Sequence, residues 1–356
     1  MLRRRIRGAA VLAGAVAGLV LAISPALAAG PSVTVMADGL NNPRGIDVGA
    51  NGRVYVAEAG TGKILSLYGG AVHTYASGLP TLTIDSPDGP TITGPTNVAA
   101  HGNGNVTAVV GAGPQQADSR FNSALRVRGS SLNADLQAFA NAHPDPNDLE
   151  QIPSDSNPYG AAWLSGSRML VTDAAANDLL LVSGHSVQLV ARFPTEVIST
   201  AGIPDFPGPA AVPAEAVPTT VTVGPDGYWY VGELKGFPFA QGASRIWRIA
   251  PWARGVTCDA SAATAACSLW MDGFTSITGI DFAPDGALYV VEISKFGVPA
   301  IGPGTGGLFR VADGTTTELL PGQLSAPGDV AVGRDGTVYV TNWSVAPTGQ
   351  VLAIRP

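Results

Sequence analysis

Short apolar runs recur along the chain in pairs, and most pairs are joined by an Asn-Gly or Asp-Gly turn. Such dipeptides accept the positive φ angle that closes an antiparallel hairpin. The run after the turn is apolar on both faces, as in Val54–Val56 and Leu288–Val290, which is typical of strands covered by sheets on either side. The pattern predicts stacked β-hairpins. The turns are Asn51-Gly52, Asn103-Gly104, Asp226-Gly227, Asp285-Gly286 and Asp335-Gly336.

Each repeat has a constant internal register, although the spacing between repeats varies from 50 to 63 residues. If the residue that opens the first strand is numbered 0, the turn lies at position 8 and an acid usually follows at position 15. Only Gly166 replaces Asn or Asp at position 8. Repetition at this period is typical of solenoids and propellers. The six opening residues are Pro43, Pro95, Pro158, Pro218, Ile277 and Pro327.

A third strand follows in every repeat, and a fourth is readable in four of them. The sixth repeat stops at Pro356 after its third strand, and Val33–Ala37 precedes the first repeat as the missing fourth strand. Closure of the ring leaves only short strand edges. The sequence therefore predicts an all-β fold, a six-bladed β-propeller of four-stranded antiparallel blades closed by the N-terminal strand. The fourth strands are Val72–Ala76, Val187–Arg192, Ser268–Asp272 and Thr316–Leu320.

The N-terminus predicts export. Residues 1–28 combine four arginines, an apolar run from Ala9 to Ile23 and an Ala-Leu-Ala ending, which is typical of a secretory signal peptide cleaved near Ala28. The run is short for a membrane span, and no second one follows, so residues 29–356 are expected to form a single secreted or cell-envelope domain with no membrane span.

Charge and cysteine content indicate which partners the protein disfavours and whether it contains a disulfide. Cleavage of the signal peptide removes four arginines. The mature chain then has 16 basic and 27 acidic residues, a formal net charge near −11. Such a surface disfavours nucleic acid as a partner. Cys258 and Cys267 lie in one loop, and in an oxidising compartment we expect them to form a disulfide.

Four longer stretches carry a family resemblance, and the match as a whole covers nearly the whole mature chain. The repeats look like NHL-type propeller repeats, and the stretches resemble the ScyD/ScyE family, secreted propellers named after a gene cluster for the sunscreen pigment scytonemin. The resemblance implies the propeller fold and export, but it brings no reaction or catalytic residue. The stretches are Asn42–Gly60, Asp155–Gly160, Ala216–Thr219 and Gly232–Phe239.

The two faces of the propeller are predicted to differ. Positions 0 and 15 lie on one face, called here the loop face, and the turns at position 8 lie on the other, the hairpin face. Most long insertions, such as residues 135–157 and 194–217, fall on the loop face, which we expect to be the functional side. Leu132–Ala142 has the composition of a short helix there. Phe237 and Phe239 add exposed apolar surface to the same face, where they either frame a ligand or pack down over the ends of the blades.

Candidate binding residues follow from variation among repeats. The residues at positions 1 and 2 are expected to line the central channel, and they differ from blade to blade: Arg44, Asn97, Tyr159, Thr219, Thr278 and Asp329. Asn97 and Asp329 are oxygen donors that resemble part of the metal site of lactonase-type propellers, but no Glu occupies such a position here. Position 15 supplies further acids, Glu58, Asp173, Glu233 and Glu292. They would suit Ca²⁺, or cap loops and pair within the blades.

Three functions remain open at this stage. The first is a secreted protein that binds a small molecule, glycan or protein through the loop face, with no catalysis and no cofactor. The second is an extracellular hydrolase or lyase that uses a divalent cation, with Asn97, Asp329, Glu58, Glu233 and Glu292 as weak candidate ligands. The third is a structural envelope protein. Histidine chemistry is disfavoured because three of the four histidines, His73, His101 and His185, fall on the hairpin face and only His143 on the loop face.

Overall fold

The computed structural model describes residues 30–85, 90–128, 133–203 and 206–356. The predicted signal peptide, residues 1–28, lies outside the described residues.

Six sheets form the blades of a β-propeller, which confirms the predicted fold. Their strands, in chain order, are β1 (Ser32–Leu40), β2 (Pro43–Val48), β3 (Val54–Glu58), β4 (Lys63–Tyr68), β5 (Ala71–Ala76), β6 (Leu82–Ile84), β7 (Thr91–Thr93), β8 (Pro95–His101), β9 (Asn105–Val110), β10 (Ser123–Arg128), β11 (Asn133–Asp135), β12 (Pro158–Trp163), β13 (Arg168–Asp173), β14 (Asp178–Ser183), β15 (Ser186–Arg192), β16 (Glu196–Ser199), β17 (Ala211–Ala214), β18 (Pro218–Val223), β19 (Trp229–Glu233), β20 (Ser244–Ile249), β21 (Val256–Thr257), β22 (Cys267–Phe274), β23 (Ile277–Phe282), β24 (Leu288–Glu292), β25 (Gly307–Ala312), β26 (Thr315–Leu319), β27 (Val330–Val332), β28 (Val338–Asn342) and β29 (Gly349–Arg355).

Blades 1 to 5 run outward from the channel in chain order, as β2 to β5, β8 to β11, β12 to β15, β18 to β20 with β22, and β23 to β26. Blade 6 is β27, β28 and β29 with β1 outermost, and Val33 pairs with Ile354 in an antiparallel register. The predicted closure by the N-terminal strand is confirmed. Position 0 faces position 15 in the ladders, as in the pairs Pro43 with Glu58 and Ile277 with Glu292.

The Asn or Asp at position 8 has a local structural reason. Its Oδ1 accepts a hydrogen bond from the backbone N–H two residues later, at 3.1 Å from Arg53 to Asn51 and 3.1 Å from Tyr228 to Asp226. The following glycine takes a positive φ, 77° at Gly227, which a side chain would strain. The two residues together terminate strand one and turn the chain back.

The hydrophobic core lies between blades rather than in one central layer. Tyr55 and Ile64 of blade 1 pack with Val98 and Val106 of blade 2, and equivalent clusters join the other neighbouring blades. All five residues of β3 are buried, which explains why the second strands are apolar on both faces.

The connections between blades contain structure that the pattern did not predict. Strands β6 and β7 form one two-stranded sheet, and β16 and β17 form another. Helix α1 (Leu136–Ala142) confirms the predicted helix, but it begins at Leu136 because Asp135 accepts a hydrogen bond from the N–H of Ala138 at 3.0 Å. The preceding residues form β11, the fourth strand of blade 2, which the sequence did not reveal.

The predicted disulfide between Cys258 and Cys267 is present. The loop it closes is tied to blade 3, because β21 pairs in parallel with β15 and the N–H of Cys258 donates to the carbonyl of Arg192 at 2.9 Å. The described residues also contain two 3₁₀ turns, Ala59–Thr61 and Val298–Ala300. In the part of the chain that the structure describes, no helix is long and apolar enough to cross a membrane.

Candidate functional site

Around the central channel, position 2 alternates between glycine and a larger residue. Glycines stand in blades 1, 3 and 5, and a Cβ on Gly45 would lie only 2.5 Å from the Cα of Asn97. A Cβ on Gly279 would lie 2.8 Å from the Cα of Asp329. Asn97, Thr220 and Asp329 of the other three blades are 5%, 4% and 6% exposed. These three side chains therefore fill the loop-face end of the channel.

Asn97 and Asp329, the predicted pair of oxygen donors, do lie together. The Nδ2 of Asn97 donates to Oδ2 of Asp329 at 3.1 Å, and its Oδ1 accepts from the N–H of Val98 at 2.7 Å. The oxygen of the amide is therefore turned away from the carboxylate. Asp329 also accepts from the N–H groups of Ile46 at 3.1 Å and Val330 at 2.8 Å.

Two further channel carboxylates, Asp47 and Asp281, were missed by the sequence reasoning. Both stand at position 4, and the signal that could have found them is the alternation of side chains along a strand, which puts positions 2 and 4 on the same side. Asp47 accepts from the N–H of Ala100 in blade 2 at 2.7 Å. Asp281 accepts from the N–H of Val332 in blade 6 at 2.8 Å. The channel carboxylates thus connect neighbouring inner strands.

These carboxylates surround a cavity of about 250 Å³. Burial raises the pKa of Asp47 to about 6, of Asp281 to about 7 and of Asp329 to about 8. The neighbouring carboxylate adds to the rise for Asp281 and for Asp329. At the other end the cavity is bordered by position 5 residues such as Trp163 and Val223, and Val223 is 38% exposed. The cavity is therefore accessible from the hairpin face.

The position 1 candidates lie elsewhere. Arg44, Tyr159, Thr219 and Thr278 do not line this cavity, because successive side chains of a strand point in opposite directions. The Oγ1 of Thr219 donates to the carbonyl of Ile277 at 2.6 Å, and that of Thr278 donates to the carbonyl of Pro327 at 3.3 Å. An Arg44 nitrogen donates to the carbonyl of Ile92 at 3.0 Å. A part in ligand binding stays a prediction for these residues.

Two of the four position 15 acids, Glu58 and Asp173, cap the chain near the start of their own blade through both carboxylate oxygens. Glu58 accepts from the N–H of Asn41 at 2.9 Å and from the hydroxyl of Thr61. Asp173 accepts from the N–H of Asn157 at 2.7 Å and from the hydroxyl of Ser156 at 2.6 Å. Among the described residues, no three His, Cys, Asp or Glu side chains are grouped so that they could hold a metal ion.

Glu233 and Glu292 differ from this pattern. Glu233 accepts from the indole N–H of Trp247 and forms an ion pair with Lys235 at 2.8 Å. Glu292 accepts from the N–H of Thr275 at 2.7 Å through one oxygen only. Burial raises the pKa of Glu292 to about 7.

The loop face carries exposed apolar side chains over blades 3 to 5. Phe237 is 62% exposed, Phe296 is 53% exposed, and Val197 at the tip sheet formed by β16 and β17 is 75% exposed. The ring of Phe206 lies 5.8 Å from that of Phe237, and Phe239 follows at 6.4 Å. We call Val197, Phe206, Phe237 and Phe296 the loop-face cluster.

Close contacts hold these loops against one another. A Cβ on Gly297 would lie 2.5 Å from the carbonyl oxygen of Phe239, so the segment that presents Phe296 abuts the one that presents Phe237. Glu196 of β16 pairs with Lys235 at 2.9 Å and with Arg245. The sequence predicted the apolar surface at Phe237 and Phe239 but not the contribution of Val197 and Phe296, which depends on how the loops pack.

Comparison with known proteins supports the fold. No protein-family model and no curated protein matches the chain. A streptogramin B lyase structure matches with a TM-score of 0.50 and 15% identity, over 91% of this chain and 98% of that one. Virginiamycin B lyase from Staphylococcus aureus gives 0.50 and 14%, over 92% and 99%. A protein of unknown function from Bacteroides thetaiotaomicron gives 0.52 and 12%, over 92% and 76%. At these identities the likeness shows the β-propeller fold alone.

Proposed function

We propose that this chain is a secreted β-propeller that binds a protein partner through the loop-face cluster and has no catalytic activity of its own. The observation that carries the proposal is the exposure of Phe237 and Phe296, 62% and 53%, on neighbouring loops of one face. Contiguous exposed apolar surface is typical of interaction sites on soluble proteins. Aromatic residues are also enriched at the energetic centres of protein interfaces.

A protein fits this surface better than a small molecule does. Val197 of β16, and Phe237 and Phe296 of two loops, are exposed and do not border the channel cavity. Small ligands, in contrast, are usually enclosed in concave sites. The proposal includes secretion. The N-terminal sequence pattern and the disulfide between Cys258 and Cys267 support this part of the proposal. Membership of the ScyD/ScyE family is proposed on the sequence resemblance and agrees with the propeller fold.

Replacement of the two most exposed aromatic residues of the loop-face cluster should weaken partner binding. We expect the Phe237→Ser/Phe296→Ser double variant to lose at least about tenfold in affinity, since a hot-spot aromatic contributes about 2 kcal/mol or more. The bait would be the mature protein, the sample the extracellular fraction of its source, and the captured protein would be purified and titrated by surface plasmon resonance.

The control for this experiment is Trp252→Ser, because Trp252 is equally exposed at 62% and follows β20 on the hairpin face. The control should keep wild-type affinity. If both variants bind the purified partner as wild type does, the loop-face cluster is not the site. If the double variant alone changes the sedimentation coefficient of the isolated protein, the surface joins two copies of this chain, and the proposal of a foreign partner is wrong.

The rival function, a hydrolase or lyase that uses a divalent cation, predicts a metal effect that we do not expect. The carboxylate of Asp329 already accepts three N–H groups, and the amide oxygen of Asn97 is bonded to Val98. The thermal midpoint should therefore be unchanged within about 1 °C by EDTA and by millimolar Ca²⁺. Stabilisation by Ca²⁺ that disappears in Asn97→Ala and in Asp329→Ala would favour the rival.

A further inference from the structure

Glu292 is an exception within the position 15 series. The corresponding side chains Glu58, Asp173 and Glu233 each use both carboxylate oxygens in contacts within their own part of the fold. Glu292 is 4% exposed, yet only its Oε1 accepts a hydrogen bond, from the N–H of Thr275 at 2.7 Å. The second oxygen has no donor among the described residues and is not one of the fully buried polar atoms, so it is open to the pocket that Glu292 lines and can accept a partner from outside.

The second oxygen has room for such a partner. Glu292 lines a pocket of about 310 Å³ between blades 4 and 5, at the loop-face end of the blades. Phe274 and Phe309 form apolar walls, with ring centroids 6.1 Å apart in an edge-to-face arrangement. Aromatic faces attract cations as well as apolar groups.

The charge of the pocket selects for a cation. Its ionisable side chains are Asp272, Glu292, Glu318 and Lys295. The one cationic group, the ammonium of Lys295, is held by Glu318 at 2.5 Å and makes no ion pair with Glu292. Three carboxylates against one ammonium leave a net negative pocket, and the nearest built-in cation is already engaged.

We propose that this pocket binds an organic ammonium group, with the free Glu292 oxygen as its ionic partner and Phe274 and Phe309 as the walls around its apolar body. The ammonium belongs either to a free amine or to a lysine side chain of a protein. A divalent metal fits less well, because the described residues contain no grouping of three suitable ligands and Ca²⁺ requires six or more oxygens. This site does not depend on the loop-face cluster, so the inference does not rest on the function proposed above.

Butylammonium chloride is the probe for the test, with binding followed by isothermal titration calorimetry at pH 8 and low salt. We expect saturable binding with a Kd in the millimolar range, roughly what so small a ligand can reach. Glu292→Gln should weaken it about tenfold or more, because a charge-assisted contact is lost. Glutamine still offers an oxygen to the N–H of Thr275, so the thermal midpoint should change little.

Two further variants separate binding from folding. Glu58→Gln alters the equivalent position in blade 1, where both oxygens are engaged, and should leave the affinity for butylammonium unchanged. Glu318→Gln releases Lys295, whose ammonium can then pair with Glu292 and compete with the probe, so the affinity should fall. Equal affinity in wild type and Glu292→Gln overturns the proposal.

Matched ligands define the chemistry and its source. Butanol, which has a similar shape and no charge, should not bind, and binding as tight as that of butylammonium would overturn the proposal. Displacement of the probe by equimolar Ca²⁺ would show a metal site instead. Nα-acetyl-lysine methylamide should bind at least as tightly as butylammonium if a lysine side chain is the natural ligand, and more weakly if the ligand is a free amine; both results support an ammonium site.

Discussion

Replacement of Lys235 by methionine should lower the free energy of unfolding by about 3–5 kcal/mol. Lys235 and Glu233 are each 1% exposed, and the ammonium lies 2.8 Å from Glu233 and 2.9 Å from Glu196. Methionine matches the length of the lysine stem but removes its charge. The carboxylate of Glu233 would then stay buried with only the indole N–H of Trp247 as a partner. Urea unfolding followed by tryptophan fluorescence measures the loss.

Two controls distinguish the cost of an unpaired buried carboxylate from the cost of lost side-chain packing. The double variant Lys235→Met/Glu233→Gln removes both charges and should recover most of the lost stability, since the cost arises from the unpaired carboxylate. Arg248→Met breaks the ion pair with Asp226, whose partners are 31% and 37% exposed, and should cost less than about 1 kcal/mol. A loss below about 1 kcal/mol in Lys235→Met would show that Glu233 is not dependent on this lysine.

Local chemistry explains why the blades could be predicted from the sequence. The hairpin depends on residues that are adjacent in the chain, such as Asp226 bonding to the N–H of Tyr228 and Gly227 at a φ of 77°. The strand pairings follow from the turn, because a hairpin fixes the register of the strands it joins. The same regularity indicated a capping role for acids such as Glu58, and its hydrogen bonds agree with that role.

The candidate sites depend on contacts between blades, and these are remote in sequence. Asp329 bonds to the N–H of Ile46 across 283 positions, and Gly45 is required by the approach of Asn97. Counting one or two residues from the strand start located Asn97 and Asp329, but it also placed Thr219 and Thr278 in the channel, where they are not found. The alternation of strand side chains would have removed those two and added Asp47 and Asp281.

The structure predicts that stability falls as the pH rises from 5 to 9. The pKa values of Asp47, Asp281 and Asp329 rise from 3.8 to about 6, 7 and 8, so the folded state holds these protons more tightly than the unfolded chain does. Their contribution to stability is therefore complete below about pH 4 and is lost as the pH passes through these values. Asp173 and Asp178, raised to about 6 and 7, act in the same direction.

Urea unfolding at pH 5, 7 and 9 measures this dependence. We expect the free energy of unfolding to fall by on the order of 3 kcal/mol or more between pH 5 and 9, since each pKa unit corresponds to about 1.4 kcal/mol.

Asp329→Asn cannot ionise and should show a smaller loss of stability. The difference from wild type should be concentrated between pH 7 and 9, because Asp329 has the highest of these pKa values. Asp335→Asn is the matched control, since Asp335 lies at a hairpin turn and its pKa is lowered by hydrogen bonds from Thr337; its stability should fall with pH as wild type does. A urea midpoint that stays constant or rises from pH 5 to 9 would contradict this prediction. It would mean that the channel carboxylates are ionised throughout this range and that hydrogen bonds from N–H groups stabilise their charge.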